Sequence, residues 1–378
     1  MNDPSRETTM TMQERSVARP GMCLLPKAVL RIAPRLLAMI SPIAAIVLAL
    51  FISMLLLIAA GYNPARAYTV MWQGAFGDLR AISEVLIKAT PLILIGSGLA
   101  VAFRCSIWNI GAEGQFYAGA VGATIVGIFI TSLPSYLMIP LVLLVGTLLG
   151  ALWGMLAGYL RVRFNANEIV TTIMLNYIAI IGTGYLVTGP LMDPAGGKYP
   201  QTARIVEAAM LPRFLPPTRL HIGFIIALIV AVILYLLIFK TSIGYAIRTV
   251  GINPVTARYA GIHVERHVLL AMAISGGAAG LAGAIEVAGI SFRLYQQISP
   301  GYGFEGIAVA LLANNHPLGI ILSGILFGAL RSGAEVMQIS AKVPSVLVFV
   351  IQGLVILCVV AFGMYRLHSR WEPRSEKE

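Results

Sequence analysis

Long apolar runs separated by short polar segments make up most of the chain. A helix must contain about 20 apolar residues to cross the roughly 30 Å hydrocarbon core of a bilayer, because it rises about 1.5 Å per residue. By this criterion the pattern predicts eight clear membrane helices. They lie near residues 36–60, 82–103, 112–131, 137–160, 169–189, 221–239, 267–289 and 344–365.

A further apolar stretch, 303–333, is interrupted in its middle. Two apolar runs of about a dozen residues flank the sequence Asn314, Asn315, His316 and Pro317. Irregular backbone at membrane depth is tolerated only where protein or a water-filled cavity satisfies its polar groups, so the runs are either two short spans or a re-entrant hairpin. Counted as two, they give about ten spans. The predicted fold class is therefore an all-α, polytopic transmembrane helix bundle with broken or re-entrant helices.

Composition supports a membrane protein and excludes an ordinary soluble domain. Of 378 residues, 58% are hydrophobic and 11% are charged, whereas soluble domains average about 25% charged residues. The formal net charge of +11 comes from basic residues in short blocks between the apolar runs and not from one continuous face. It therefore indicates the positive-inside bias of membrane proteins and not a nucleic-acid surface. Cys23, Cys105 and Cys358 show no metal-type spacing, which indicates inert core thiols with neither metal nor cofactor.

The basic blocks predict the orientation of the bundle. With an even number of spans all of them fall on one side, which is then the cytoplasm and holds both termini. The blocks are Lys27, Arg31 and Arg35; Arg161 and Arg163; Lys240, Arg248, Arg258 and Arg266; and Arg366, Arg370 and Arg374. The predicted domains are a basic cytoplasmic segment 1–35, a membrane domain 36–365 and a cytoplasmic tail 366–378. The loop 190–220 lies outside, where it either meets an external partner or connects two spans.

A carboxylate stands inside the apolar segment 107–120, together with Asn109 and Gln115. An ionised carboxylate at the bilayer centre costs at least about 2.5 kcal/mol, so Glu113 should face the bundle interior or water. The flanking glycines predict that the chain unwinds at Asn109–Gly111 and that a new helix begins near Ala112. Glu113 would then share that helix N-terminus with the free backbone N–H groups and cap the break.

A glutamate flanked by glycines recurs late in the chain, where glycines surround Glu305 in the segment 300–313. Paired, glycine-interrupted segments in two halves of a sequence indicate a transport pathway. The alternative is that Glu113 and Glu305 each only fasten a helix to its neighbour. On the first interpretation, the translocation pathway includes Asn109, Glu113, Gln115 and Glu305.

A second set of polar residues lies in the segment 165–179. Asn167 is a suitable N-cap, and Asn176, about mid-helix, must find a hydrogen-bond partner. For Asn176 and the adjacent Tyr177 two roles stay open, an interhelical hydrogen bond and a place in the lining of the pathway.

The longest basic connection, 241–266, contains a short capped helix. Asn253 is a good N-cap, Pro254 suits the first helical position and Gly261 supplies a left-handed residue past the end, which together predict a helix over 254–260. A helix this short does not persist in water by itself, so the membrane surface or a cytoplasmic protein must dock against it. It would suit a lever between the membrane bundle and a soluble motor.

The chain itself supplies no such motor. Its Gly197–Lys198 pair is followed by Tyr199 and lacks the upstream glycine of a phosphate-binding loop, so any ATP hydrolysis would come from a partner. His263 and His267 are four residues apart but have no partner of the kind that builds a catalytic metal site, which argues against an intramembrane enzyme.

Four ordered motifs resemble the permease subunits of ATP-binding-cassette (ABC) importers. They are NIGAEGQFYAGA, NEIVTTIMLNYIA, GINPVTARYAGI and YGFEGIAVALLANNHPLG, which together span most of residues 90–320. The sequence is similar to the family of ribose, simple-sugar, nucleoside and branched-chain amino acid permeases, and above all to its nucleoside and simple-sugar branch.

The resemblance implies a multi-pass protein of the bacterial inner membrane that imports a nucleoside or simple sugar. Its implied partners are a cytoplasmic ABC ATPase, a second permease that is identical or related, and an external binding protein or lipoprotein. The resemblance also implies that Asn253, Pro254, Arg258, Tyr259 and Gly261 couple the permease to the ATPase. The alternative function is a secondary transporter, in which an ion gradient drives uptake of a small polar solute.

Overall fold

A computed structural model of the chain describes residues 47–195, 199–344, 346–351, 353–355, 357, 358 and 361. The predicted segment 1–35, the start of the first predicted span and the predicted tail 366–378 lie outside these residues, as does Cys23. Cys105 and Cys358 are both buried free thiols.

The described residues form thirteen helices joined by irregular loops. In chain order they are α1 (Val47–Ala59), α2 (Pro64–Phe76), α3 (Leu79–Arg104), α4 (Ala112–Phe129), α5 (Ser135–Phe164), α6 (Glu168–Thr188), α7 (Gly223–Lys240), α8 (Ser242–Ile252), α9 (Pro254–Tyr259), α10 (Val264–Glu286), α11 (Tyr302–Leu312), α12 (Pro317–Ser340) and α13 (Val346–Val355). A 3-10 turn, Glu207–Ala209, lies in the loop before α7, and a π-helical turn, Val287–Ser291, extends α10. The prediction of an all-helical membrane bundle is confirmed.

Among the described helices, six are long and apolar enough to cross a membrane: α3, α5, α6, α7, α10 with its π-helical turn, and α12. The total of about ten spans stays a prediction. The stretch 303–333 differs from the expected pair of similar runs, because α11 has 11 residues and α12 has 24. At about 1.5 Å per residue, α11 covers about half of a hydrocarbon core and α12 all of it.

Small residues bring α5 and α10 into close contact at the centre of the bundle. A Cβ atom on Gly276 would collide with the carbonyl oxygen of Gly150, and one on Gly154 would lie 2.6 Å from the carbonyl oxygen of Met272. Such backbone proximity is how helices associate where lipid provides no hydrophobic driving force between them. The recurrence of glycine at four-residue spacing along these two helices therefore serves helix packing.

The loops gather at two ends of the bundle. At one end the Nε atom of Arg104 donates to the carbonyl of Asn315 (2.8 Å), and the Ser106 hydroxyl donates to the carbonyl of Gly251 beside α9 (2.6 Å). We call this the α9 end. At the other end, the loop end, the loop after α6 pairs with the ends of α4 and α10: Val206 N donates to Gly127 O and Leu211 N to Ala288 O.

His221, at the loop end, makes the stability of the fold depend on pH. Its side chain is 1% exposed, its Nδ1 accepts from Gly223 N (3.1 Å), and burial, with Arg213 as the second cause, lowers its pKa from 6.5 to about 4. Because the unfolded chain binds the proton more readily, stability is fully present above pH 6.5 and is lost as the pH falls towards 4. We expect this loss to reach about 3 kcal/mol of unfolding free energy.

Unfolding of the purified protein in detergent between pH 4 and 7 measures this effect. His221→Asn keeps an acceptor near the Nδ1 position and cannot titrate in this range, so we expect a flatter profile. Equal slopes for wild type and variant would contradict the assignment.

Candidate functional site

The predicted break before α4 exists and is longer than expected, running from Cys105 to Gly111. Asn109 is fully buried there and organises the turn. Its Oδ1 accepts from Gly111 N (3.0 Å), while its Nδ2 donates to Gln115 Oε1 and to Ser275 Oγ, both at 2.9 Å. The break is thereby fastened to α4 on one side and to α10 on the other.

Asn176 joins α6 to the same break. Its Oδ1 accepts from Gly114 N (2.7 Å) and its Nδ2 donates to the carbonyl of Ile110 (2.8 Å). The sequence left two roles open for Asn176, and the structure shows one of them, the interhelical hydrogen bonds. Tyr177 takes no part in them, because its side chain points away and is 59% exposed.

Glu113 does not cap its own helix, so the expectation that this side chain caps the break is wrong. Its carboxylate accepts from the backbone N–H of Gly303 (2.6 Å), in the first turn of α11, while Asn176 satisfies the N–H of Gly114. Ser299 Oγ accepts from two further N–H groups at this end of α11, those of Gly301 and Tyr302. Glu113 therefore connects two helix N-termini from opposite halves of the chain.

The N-termini of α4 and α11 consequently meet inside the bundle. The rings of Phe116 and Tyr302 lie 6.0 Å apart, and a Cβ atom on Gly303 would collide with the backbone of Glu113. Both helices begin next to an irregular segment and carry a glutamate in the first turn. This is the geometry that glycine-interrupted segments in two halves predict for the centre of a transporter.

Glu305, on the first turn of α11, forms an ion pair with Arg331 of α12 (2.6 Å). The guanidinium is buried, lies 4.9 Å from the centre of the Tyr302 ring and also donates to the carbonyl of Pro300 (3.4 Å). Sequence reasoning missed Arg331, although an arginine inside the apolar segment 317–340 is itself a signal that a partner must exist.

Two more ion pairs lie towards the loop end. Lys88 of α3 pairs with Glu335 of α12, and Arg219 of the loop before α7 pairs with Glu84 of α3 (2.8 Å). None of these residues was singled out from the sequence.

The structure places four of the six predicted pathway residues in one buried network. Asn109, Glu113, Gln115 and Asn176 are each at most 3% exposed and hydrogen-bonded to protein. Glu305 lies at the adjoining helix terminus, and Tyr177 lies apart. Their role in translocation stays a prediction.

Removing the Asn176 side chain should loosen the break. We expect Asn176→Ala to lower the free energy of unfolding by about 1–3 kcal/mol, because the N–H of Gly114 and the carbonyl of Ile110 are left buried without partners. Thr171→Ala, on the same helix, is the matched control, since that hydroxyl bonds to carbonyls near a helix end. Denaturant unfolding compares the two; equal losses would mean that Asn176 contributes little to the break.

The short capped helix is present as predicted, at Pro254–Tyr259. Asn253 Oδ1 accepts from the N–H groups of Val255 (2.9 Å) and Thr256 (3.1 Å), and Gly261 has φ +78°. α9 is not isolated, however, because α8 runs directly into its N-cap and was not predicted. Tyr259 at its end is 90% exposed.

A cavity of about 290 Å³ separates α9 from the break before α4. Ser106 of the break lines it together with Arg161 and Glu168 of α5 and α6, and with Arg258 and Glu265, which pair at 2.5 Å. Among the described residues, no group of three or more His, Cys, Asp or Glu side chains could hold a metal ion.

Comparisons with known proteins agree with this architecture. A family model described as "Branched-chain amino acid transport system / permease component" matches residues 81–360. The chain is 38% identical to the guanosine ABC transporter permease protein NupP of Bacillus subtilis, over 86% of this chain and 94% of that protein. It is 34% identical to the glucose ABC transporter permease protein TsgB13 of Haloferax volcanii (91% and 93% covered) and 34% to the nucleoside ABC transporter permease protein NupB of Lactococcus lactis (85% and 90%). No solved structure matches significantly.

Proposed function

Since this chain belongs to the family of branched-chain amino acid transport system permease components and is a membrane-spanning permease of the ABC importer type, we propose that its solute is a nucleoside. The observation that carries the proposal is the 38% identity to a guanosine permease along nearly the whole of both chains. Aromatic rings suit a nucleobase, and the pair Phe116 and Tyr302 lies beside the junction of α4 and α11, but both rings are buried, so stacking on them would require the junction to open.

A simple sugar is the second candidate. It is favoured by the 34% identity to a glucose permease, which covers a slightly larger share of this chain. Both solutes are neutral and rich in hydroxyl groups, so the same buried amides and carboxylates suit either. The ion-gradient alternative gains no support, since none of the three relatives named above is an ion-driven carrier.

The energy for transport would come from a separate cytoplasmic ABC ATPase that docks on α9. The support is physical: Ile252, Val255 and Tyr259 are more than half exposed on or beside this six-residue helix. Exposed apolar and aromatic side chains on so short a helix suit a docked protein. The basic residues of the α9 end would place it, with both chain termini, in the cytoplasm of a bacterial cell.

A second permease subunit and an external binding protein would complete the importer in the inner membrane. On this proposal the loop end, which carries the segment 199–222, faces the external binding protein. The network of Asn109, Glu113, Gln115 and Asn176, with Tyr177 and Glu305 beside it, would form the wall of the pathway and rearrange when α9 moves.

Solute-stimulated ATP hydrolysis tests the proposal directly. The chain is co-expressed with an ABC ATPase, a second permease and a binding protein from the same organism, reconstituted in proteoliposomes, and supplied with guanosine, other nucleosides or glucose. We expect nucleosides to stimulate hydrolysis and uptake. Stimulation by glucose alone would establish the sugar, and uptake that continues without ATP but stops with an uncoupler would refute the ABC mechanism.

A further inference from the structure

The loop end of the bundle holds a cluster of charged side chains within or beside the membrane helices. Four are carboxylates and three are cations: Glu84, Glu286, Glu305 and Glu335, with Lys88, Arg219 and Arg331. Three of the carboxylates have their own cation within ion-pair distance, as described above. Glu286, the last residue of α10, is the fourth.

Glu286 has no partner of its own among the described residues. Its carboxylate makes neither an ion pair nor a side-chain hydrogen bond with any of them, and the cations that act on it electrostatically are Arg331, Arg219 and Lys88. Each of these already binds another carboxylate. A carboxylate in a membrane bundle without a partner is unfavourable and is a functional-site hypothesis by default.

The backbone at Glu286 is also unusual. The α-helix ends at this residue and continues as the π-helical turn Val287–Ser291. π-helical turns are rare and occur frequently at functional sites. Glu286 is half-buried, and the cations that act on it electrostatically come from α3, α12 and the loop before α7.

Aromatic rings connect Glu286 with the junction of α4 and α11. Tyr302 and Tyr295 both lie close enough for the carboxylate to act on them electrostatically. Tyr302 in turn packs against Phe116 and begins α11. Tyr302 therefore links Glu286 to the junction that holds Glu113.

We propose that Glu286 is a solute-binding residue, whose carboxylate accepts a pair of hydrogen bonds from a neutral solute. The proposal rests on the nucleoside function proposed above. A nucleoside offers two suitable donor pairs, the N–H and NH2 groups of a guanine edge and the cis-diol of ribose. A carboxylate forms charge-assisted hydrogen bonds with neutral donors of this kind.

Glu286→Gln tests this in the reconstituted importer, with guanosine, inosine and 2′-deoxyguanosine as the solutes. The substitution keeps the shape and removes the charge that strengthens both hydrogen bonds. We expect KM for guanosine in solute-stimulated ATP hydrolysis to rise about tenfold, which corresponds to about 1.4 kcal/mol, with kcat and Tm unchanged.

The other solutes identify the donor pair. If the guanine edge binds, inosine, which lacks the 2-amino group, will respond much less to the substitution; if the diol binds, 2′-deoxyguanosine will respond less. Unchanged KM values for all three solutes would overturn the proposal, as would a fall in Tm with loss of activity towards every solute, which would make Glu286 a structural residue. If wild type responds to glucose and to no nucleoside, the nucleoside function fails by itself. A tenfold rise in KM for glucose would then still support Glu286 as a diol acceptor, and an unchanged value would refute it.

Discussion

Arg331→Met should lower the free energy of unfolding by about 3–5 kcal/mol, the loss typical of a buried ion pair from which one partner is removed. The guanidinium is 6% exposed, and the Glu305 carboxylate it binds at 2.6 Å is also largely enclosed. Without Arg331 that carboxylate is left charged inside the bundle, and the carbonyl of Pro300 loses a donor. Denaturant or thermal unfolding of the purified protein in detergent measures the difference.

Two further variants separate the ion pair from the packing. Arg331→Met combined with Glu305→Gln removes both charges, so it should recover much of the stability that the single variant loses. Arg258→Met breaks an ion pair whose two side chains are 64% and 49% exposed, and exposed pairs contribute about 0–1 kcal/mol. If Arg331→Met lowers the free energy of unfolding no more than Arg258→Met does, the ion pair between Glu305 and Arg331 does not stabilise the bundle as its burial indicates.

Features set by neighbouring residues could be predicted from the sequence. The caps of α9 are an example, because Asn253, Pro254 and Gly261 act on backbone within three or four residues of themselves. The start of α4 is another, since the glycines around Glu113 mark the break locally. In both cases the signal and the structure it specifies lie in the same short segment.

Contacts between distant segments could not be predicted in this way. Glu113 binds the N–H of Gly303, 190 residues further along the chain, and nothing in the local sequence of either segment specifies the other. The length of α12 was missed for the same reason. Arg331 and Glu335 interrupt its apolar pattern, yet each is neutralised by a partner on another helix, Glu305 or Lys88.

Two residues that are adjacent in the sequence face different surroundings in the structure. Asn176 and Tyr177 follow one another, so the sequence treats them as a pair, but consecutive positions on a helix point about 100° apart. Asn176 faces the break before α4, whereas Tyr177 faces outwards. The amide is thus part of the buried network, and a contact between Tyr177 and solute would have to involve a surface that this chain does not cover by itself.

Tyr259→Ala should strongly weaken coupling to the ATPase while leaving the fold intact. Tyr259 is 90% exposed at the end of α9, so its truncation should change Tm little. An aromatic anchor at a protein interface typically contributes 2 kcal/mol or more, so recruitment of the ATPase should weaken by about 30-fold or more. Copurification of the ATPase with the permease, together with solute uptake into proteoliposomes, measures both consequences.

Gly261→Val approaches the same helix through its backbone. Gly261 has φ +78° and a Cβ atom there would meet nothing within 4 Å, so the substitution strains the residue that ends α9 without creating a clash. A β-branched residue is strongly disfavoured at positive φ, and the end of α9 must therefore rearrange. Tyr136→Ala, which removes a tyrosine that is 75% exposed in the first turn of α5 at the loop end, is the matched control and should keep recruitment. If both α9 variants recruit the ATPase and take up solute like wild type, α9 docks on the membrane surface instead, and the 290 Å³ cavity beside it does not transmit force from nucleotide hydrolysis.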